Sequence, residues 1–422
     1  MKKDSVKQKL WQLVETRKND LLQLCSEMIQ IPSENPPGDM EDITQLICNY
    51  LQRADIEYKV IRPAEDKPNI IAAFGNDEGK TLLLNGHSDV VPAGDRSKWD
   101  FDPFCGTITD TQILGRGTSD MKAGLGTLLF TMKLLVEQKV KMKGKVVLHV
   151  VPDEETSGKL GTKWLVEQGY GDGADACLIA EPTSFNNCEV GQKGSLWIHI
   201  KSYGKSAHGS IGNYVGDNAI LKLTKILSRV EELRTLKGQY EASQLQVLKD
   251  SKRVAKDALK AEGVENVIDH VTVNVGTIQG GTKTNMVPDY CEATIDIRVP
   301  IGVKIQDVVD RFQKMIEELD LTGIEYEYNW NSEANYTDVN TAIVQSAVDN
   351  ARKVWGREVV PAYQWASSDA RYYRYAGIPT IQYGPANTEG IHSYNETVDI
   401  EDVVNAAKVY LGIMVDLLDL EY

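Results

Sequence analysis

From Thr81 to Ala180 the chain alternates short apolar runs with segments of helical periodicity, and this alternation constrains the fold more than any other feature. Thr81 to Asn85 and Ala176 to Ala180 read as fully buried strands, Lys145 to Val151 is strand-like, and Lys122 to Gln138 and Gly161 to Gln168 read as the helices between them. Strands apolar on both faces need helices on both faces, so the pattern predicts an α/β domain around a mainly parallel sheet covered by helices on both faces. Upstream, helical spacing covers Leu10 to Ile31, where the Pro32, Pro36, Pro37, Gly38 cluster stops it, and about Asp42 to Ala54. Tyr58 to Arg62 and Ile70 to Phe74 are strand-like. In such sheets, polar residues at the C-terminal ends of strands are where a site forms.

After Glu181 the pattern changes. Ser195 to Ser202 and Val271 to Ile278 are β-branched or alternating, and Cys291 to Val299 alternates strictly, with Glu292, Thr294, Asp296 and Arg298 against Ala293, Ile295, Ile297 and Val299. With helices at about Asn218 to Leu233 and Ile305 to Leu319, this predicts an antiparallel sheet with helices on one side. The expected organisation is therefore residues 1–191 and 332–422 as one domain, with an α+β module inserted over 192–331. The charged stretch Glu231 to Asn266 has helical composition and no clear apolar stripe. It reads as a solvated helical insert, with a partner-binding or site-covering role as the competing reading.

Composition narrows the chemistry. Sixty-one acidic against 46 basic residues give a net charge of −15, which opposes binding to nucleic acid or anionic lipid. No uninterrupted apolar run exceeds the five residues of Ile70 to Phe74, too short to span a bilayer. The charged first nine residues lead into a helical pattern rather than an export signal, so the expected location is the cytoplasm. The six cysteines form no C-x-x-C pair, which argues against a thiolate zinc knuckle. Histidine is scarce, at positions 87, 149, 199, 208, 270 and 392.

Four motifs fall at predicted strand ends: "NGHSDVVP" with His87 and Asp89, "GRGTSDMKAG" with Asp120, "VVPDEETSG" with Glu154 and Glu155, and "IAEPT" with Glu181. A fifth, "IHSYNE" with His392, follows the strand-like Thr380 to Tyr383. Singly, each has a plainer reading: His87 as a satisfied loop histidine, Asp120 as a turn or cap residue, Glu154 and Glu155 as a solvated pair. Jointly they make a set of imidazoles and carboxylates suited to Zn, Mn or Co. A His-x-Asp at a strand end lets the carboxylate fix the imidazole tautomer. Adjacent glutamates in extended backbone point apart, so one can bind metal while the other takes a proton from water.

These motifs, with "AHGS" at Ala207 to Ser210, resemble the family of two-zinc amidohydrolases that includes acetylornithine deacetylase, succinyl-diaminopimelate desuccinylase, aminoacylase, bacterial glutamate carboxypeptidase and carnosinase-like dipeptidases. The resemblance covers essentially the whole chain. It implies that His87 and Glu181 hold one zinc, that Glu155 and His392 hold the other, and that Asp120 bridges them, with cobalt or manganese as alternatives. It also implies that Asp89 orients His87, that Glu154 is the general base, and that the Asp120–Met121 peptide is cis. The inserted module becomes a lid and dimerisation domain of a homodimer. From it, His208 would stabilise the oxyanion in the partner subunit's site, while Asn285 and Arg298 would contact the scissile carbonyl and the substrate carboxylate. Arg371, in "SSDARYY", is expected to be structural, as are His149, His199 and His270. The expected activity is hydrolysis of the amide bond of an N-acyl amino acid, with Glu181 in place of Asp leaning to the deacylase branch. A dipeptidase or carboxypeptidase acting on short peptides is the enzymatic alternative, and a non-catalytic binding protein on this fold is the other.

Overall fold

The computed structural model describes residues 2–183 and 186–421. The chain forms two compact units: one runs to Val190 and resumes over Thr337–Ala362 and from Ser368 onward, and the other comprises Gly191–Tyr336 with Tyr363–Ser367.

The first unit is built on a sheet in the order Glu57–Ile61, Asn69–Gly75, Lys145–Val151, Thr81–His87, Ala176–Ile179, Thr380–Gln382, Asn187–Gln192. The four central strands, from Lys145–Val151 to Thr380–Gln382, pair in parallel. The flanking pairings are antiparallel. The largely parallel sheet is thus as expected at its centre, and its edges depart from it for a topological reason. Parallel neighbours need a long crossover, whereas residues 62–68 are too few to do more than turn the chain back.

Helices cover both faces. Asn85 donates to Thr162 at the start of helix Thr162–Glu167 and to Tyr373 in helix Ala370–Tyr375. Its neighbour Gly86 faces the other way, against Met121 and Leu125 beside helix Lys122–Glu137. That helix is buried almost all round, as are most residues of helix Ile400–Leu417 that it packs against. Each fully buried Leu or Phe there contributes about 1.5–3 kcal/mol. The expected helix from Leu10 to Ile31 is two, Lys2–Thr16 and Lys18–Ile29, broken at Arg17, whose guanidinium binds Asp20 and Glu137.

In the second unit, four antiparallel strands lie in the order Ile324–Ser332, Gly194–Tyr203, Tyr290–Val299, Thr272–Gly280. Ala293, Ile295, Ile297 and Val299 pack with Leu223, Ile226, Val308 and Phe312 from helices Ala219–Leu227 and Ile305–Leu319, and the alternate residues form the more polar face. The charged stretch 231–266 contains helix Leu245–Leu259, which does have a buried stripe: Val247, Ser251, Val254 and Ala255. A serine disguises it. Ser251 Oγ donates to the Val247 carbonyl and accepts the Tyr363 N–H, so a polar residue sits satisfied in the core. Among the described residues, no helix is long and apolar enough to cross a membrane.

Candidate metal centre

His87 is the last residue of strand Thr81–His87, and Asp89, two residues on, is in contact with its ring. His87 Nδ1 donates to the Asp89 carbonyl at 2.8 Å, with the Asp89 carboxylate 3.3 Å away. That leaves Nε2 facing Asp120 Oδ1 at 2.9 Å and Glu181 Oε2 at 3.9 Å. Asp89 is itself fixed by N–H groups from Asn35 and from the backbone of Glu154 and Glu155.

Asp120 stands between two imidazoles. Its Oδ1 meets His87 and its Oδ2 lies 3.3 Å from His392 Nε2, which also reaches Glu155 Oε2 at 3.2 Å. Glu154 and Glu155 begin a 3₁₀ turn after strand Lys145–Val151 rather than lying in extended backbone, so it is the turn that sends their side chains to different partners. Glu155 groups with His87 and Asp120, and Glu154 groups with His87 and Glu181, ligand atoms in each group lying within 4.8 Å of one another. The Asp120–Met121 peptide is cis.

Carboxylates crowded in a buried space perturb one another. Burial, then the charges of Glu181 and Asp369, push Glu154 well above the usual carboxylate range, and burial likewise raises Glu181 and Glu155. Hydrogen bonds to Asp120 and Glu155 push His392 up to about 10. Burial alone would depress His87, yet Asp120, Asp89 and Glu181 raise it. The Asp120 carboxyl, despite burial, is held well below its usual value by the two histidines. The cluster therefore has an excess of buried negative charge that divalent cations would offset. Glu155 Oε1, buried with no hydrogen-bond partner among the described residues, is an open acceptor there. Imidazoles and carboxylates without thiolates match Zn, Co or Mn, so the residues present fit a pair of such ions.

Several supporting residues carry no local signal in the sequence, although they sit within or beside the motifs. Glu396, in "IHSYNE", is fully buried and accepts the N–H groups of Ser119 and Asp120 and the guanidinium of Arg116, from "GRGTSDMKAG". Arg116 in turn lies 5.1 Å over the Trp99 ring. Lys122 buries its ammonium against the carbonyls of Met28 and Ile31, and burial lowers it to about 7. Glycines hold the Glu181 backbone in place: a Cβ on Gly124 would come within 2.2 Å of the Ala180 oxygen, and one on Gly384 within 2.3 Å of it and 2.6 Å of the Glu181 oxygen.

The remaining candidates lie in the second unit, apart from Arg371. His208 is exposed, caps a 3₁₀ turn and contacts Ser210 Oγ at 2.8 Å. Asn285 is beside it, its carbonyl accepting the Gly209 N–H. Arg298 is on the polar sheet face, paired at 3.0 Å with Asp296. Arg371 is buried and donates to the carbonyls of Ser157 and Ser368, a bracing role. Three other histidines are engaged elsewhere: His149 with Tyr373, His199 with Glu292 and Glu327, and His270 with Asp269.

The chain is 28% identical over 388 residues to a probable succinyl-diaminopimelate desuccinylase of Staphylococcus aureus, covering 90% of this chain and 92% of that one. It is 27% identical over 421 residues to aminoacylase-1 of Dictyostelium discoideum, covering 96% and 99%. In fold it is similar to an M20 family metallo-carboxypeptidase, Sso-CP2 of Sulfolobus solfataricus, with a TM-score of 0.80 at 22% identity, covering 94% of this chain and 99% of that one. The profile of peptidase family M20/M25/M40 matches residues 83–416, so the chain belongs to that family and is a hydrolase of that family.

Proposed function

We propose that this chain is a metal-dependent amidohydrolase that removes the acyl group from an N-acyl amino acid. The observation that carries the reading is the Asp120 carboxylate, whose two oxygens each meet a different imidazole. Glu181 stands beside the first and Glu155 beside the second. His87 and Glu181 would hold one ion, Glu155 and His392 the other, with Asp120 shared and zinc favoured over cobalt or manganese. Such a pair supplies Lewis acidity at the scissile carbonyl and lowers the pKa of water toward neutrality. Asp89 keeps the proton of His87 on Nδ1 and so keeps Nε2 free to ligate. Glu154 shares the His87 and Glu181 side of the cluster and is raised by burial and like charge, which suits a base. It accepts the proton of the attacking water and returns it to the leaving amine.

The second unit is assigned the lid role. His208 would donate to the oxyanion in the partner subunit's site, Asn285 to the scissile carbonyl, and Arg298 would receive the substrate carboxylate in a bidentate fork. A homodimer follows from that assignment. The edge strand Thr272–Gly280, with Val275 and Ile278 exposed, is a surface available for it. We place the enzyme in the cytoplasm.

The similarity in sequence to a probable desuccinylase and to aminoacylase-1 favours deacylation. The similarity in fold to a metallo-carboxypeptidase keeps peptide hydrolysis as the second reading. Steady-state assays of the metal-loaded protein on N-acetyl and N-succinyl amino acids against dipeptides separate the two. Turnover of dipeptides alone would sink the deacylase reading, and no bound metal with no turnover of either would leave a non-catalytic binding protein.

A further inference from the structure

Two of the ligands assigned above owe their positions to strand ends and close backbone packing. His87 ends a central strand and is braced by Asp89, and Glu181 is held by the approach of Gly124 and Gly384. Asp120 and His392 sit instead on two loops far apart in sequence, and the buried Glu396 side chain makes the charged link between those loops. Glu396 Oε1 accepts the N–H of Ser119 at 2.8 Å and of Asp120 at 3.2 Å, and its Oε2 accepts Arg116 Nη1 at 2.6 Å. Its backbone carbonyl accepts the Gly115 N–H at 3.0 Å. The His392 loop is tied to the same place from both sides: Ser119 Oγ donates to the Thr397 carbonyl at 2.9 Å and accepts the Asn387 N–H at 2.9 Å. Between these anchors His392 is half exposed, with positive φ, and meets the cluster through Asp120 and Glu155.

We propose that Glu396 is a positioning residue that holds the Asp120 and His392 loops in one fixed arrangement, so that the ion position of Asp120, Glu155 and His392 depends on it more than the position of His87 and Glu181. The proposal rests on the metal assignment made above. Arg116 supports Glu396 by neutralising a carboxylate that would otherwise be buried and unpaired, and so keeps both of its oxygens as acceptors.

The test is titration of the metal-free protein with zinc, and with cobalt(II) followed by its absorption spectrum, for the parent, Glu396→Gln, Arg116→Met/Glu396→Gln and His392→Ala. Melting transitions are recorded alongside. In Glu396→Gln the amide nitrogen faces Arg116, and the expected result is a first ion bound close to the parent's affinity with the second weakened about 10–100-fold. His392→Ala should lose that same second ion. The double variant, which leaves no buried unpaired charge and keeps an oxygen for the Ser119 N–H, should regain part of the lost affinity. A Glu396→Gln protein that binds both ions like the parent, or loses both equally, overturns the proposal, and so does a double variant with no recovery. A parent that takes up no pair of ions overturns the metal assignment itself, whereas a two-ion parent with an indifferent Glu396→Gln overturns only the role of Glu396.

Discussion

In the first unit, Asp120 stands 2.9 Å from His87 and 3.3 Å from His392, residues 33 positions before it and 272 after it, while in the second unit His208 and Arg298 bond Ser210 and Asp296, each two residues away. The first arrangement is made by tertiary structure among largely buried carboxylates, with His392 at its exposed edge. The second is made by local neighbours, with His208 exposed and Arg298 half-buried on the polar sheet face. Side chains brought together at such sequence distance have no reason to meet unless the fold exists to gather them, and gathering buried carboxylates is costly without cations. Locally satisfied side chains on a surface impose no such cost, so their proposed roles need a partner or substrate to draw them out.

Variants can break or sharpen that contrast. The largest expected effect is Glu154→Gln, which should lower kcat by about 10²–10⁴-fold with metal content unchanged, since it removes the proton acceptor and not an assigned ligand. Unchanged hydrolysis would remove Glu154 from the mechanism. Next, His208→Ala should lower kcat by about 10²–10³-fold with the melting temperature unaltered. An indifferent His208 would leave the first unit as the whole of the chemistry. Asp89→Asn should weaken metal binding about 10–100-fold in a direct titration: the main-chain carbonyl still accepts the Nδ1 proton, but the carboxylate 3.3 Å from the ring, which also accepts the Glu154 and Glu155 N–H groups, becomes a neutral amide. Arg298→Lys keeps the charge and loses the fork, so about a tenfold rise in KM with kcat preserved is expected on a carboxylate-bearing substrate.

The smallest effect concerns pH. Glu154 and Glu181 are raised above 4.5 by burial, and His392 is raised from 6.5 to about 10 by its carboxylate partners. A group raised on folding stabilises the native state fully below its unfolded value, and that contribution fades as pH climbs through its folded value. Lys122, lowered to about 7 by burial, acts with the opposite sign over the same range, so the effect of His392 is read as the difference between the parent and His392→Ala. Relative to that variant, the metal-free parent should lose melting temperature as pH rises from neutrality toward about 10, while its gain on adding zinc grows, because ions replace the protons being lost. Scanning calorimetry of both proteins with and without zinc checks the sign, and a parent that gains on the variant over that range would contradict it.

How much of this is legible in the sequence follows from how each part is encoded. His87, Glu154, Glu155 and Glu181 follow short apolar runs, and a strand end is a local signal with a functional meaning, whereas Asp120 and His392 sit on loops and are legible only through their motifs. Glu396 and Arg116 belong to the same motifs yet carry no such signal, because they satisfy each other and two backbone N–H groups 276 and 277 residues away from Glu396. The stripe of helix Leu245–Leu259 is hidden by Ser251, whose burial depends on the Tyr363 N–H, a partner that no periodicity could reveal. Tyr363 itself lies in Tyr363–Ser367, a short stretch that packs with the second unit after the chain has already returned to the first. The antiparallel flanks of the sheet depend on which strands meet, and strand composition does not encode that.

The glycines around Ala180 carry a consequence for how this site tolerates change. The Ala180 carbonyl lies where methyl groups from either Gly124 or Gly384 would collide with it, one on a long buried helix and the other just past a central strand. Glu181 therefore inherits its coordinates from the absence of two side chains that touch no substrate. A change as small as Gly384→Ala would arrive at the ligand as a displaced backbone. In a population of variants, the tightest constraint on the site then extends to positions whose residue has nothing to contribute except space.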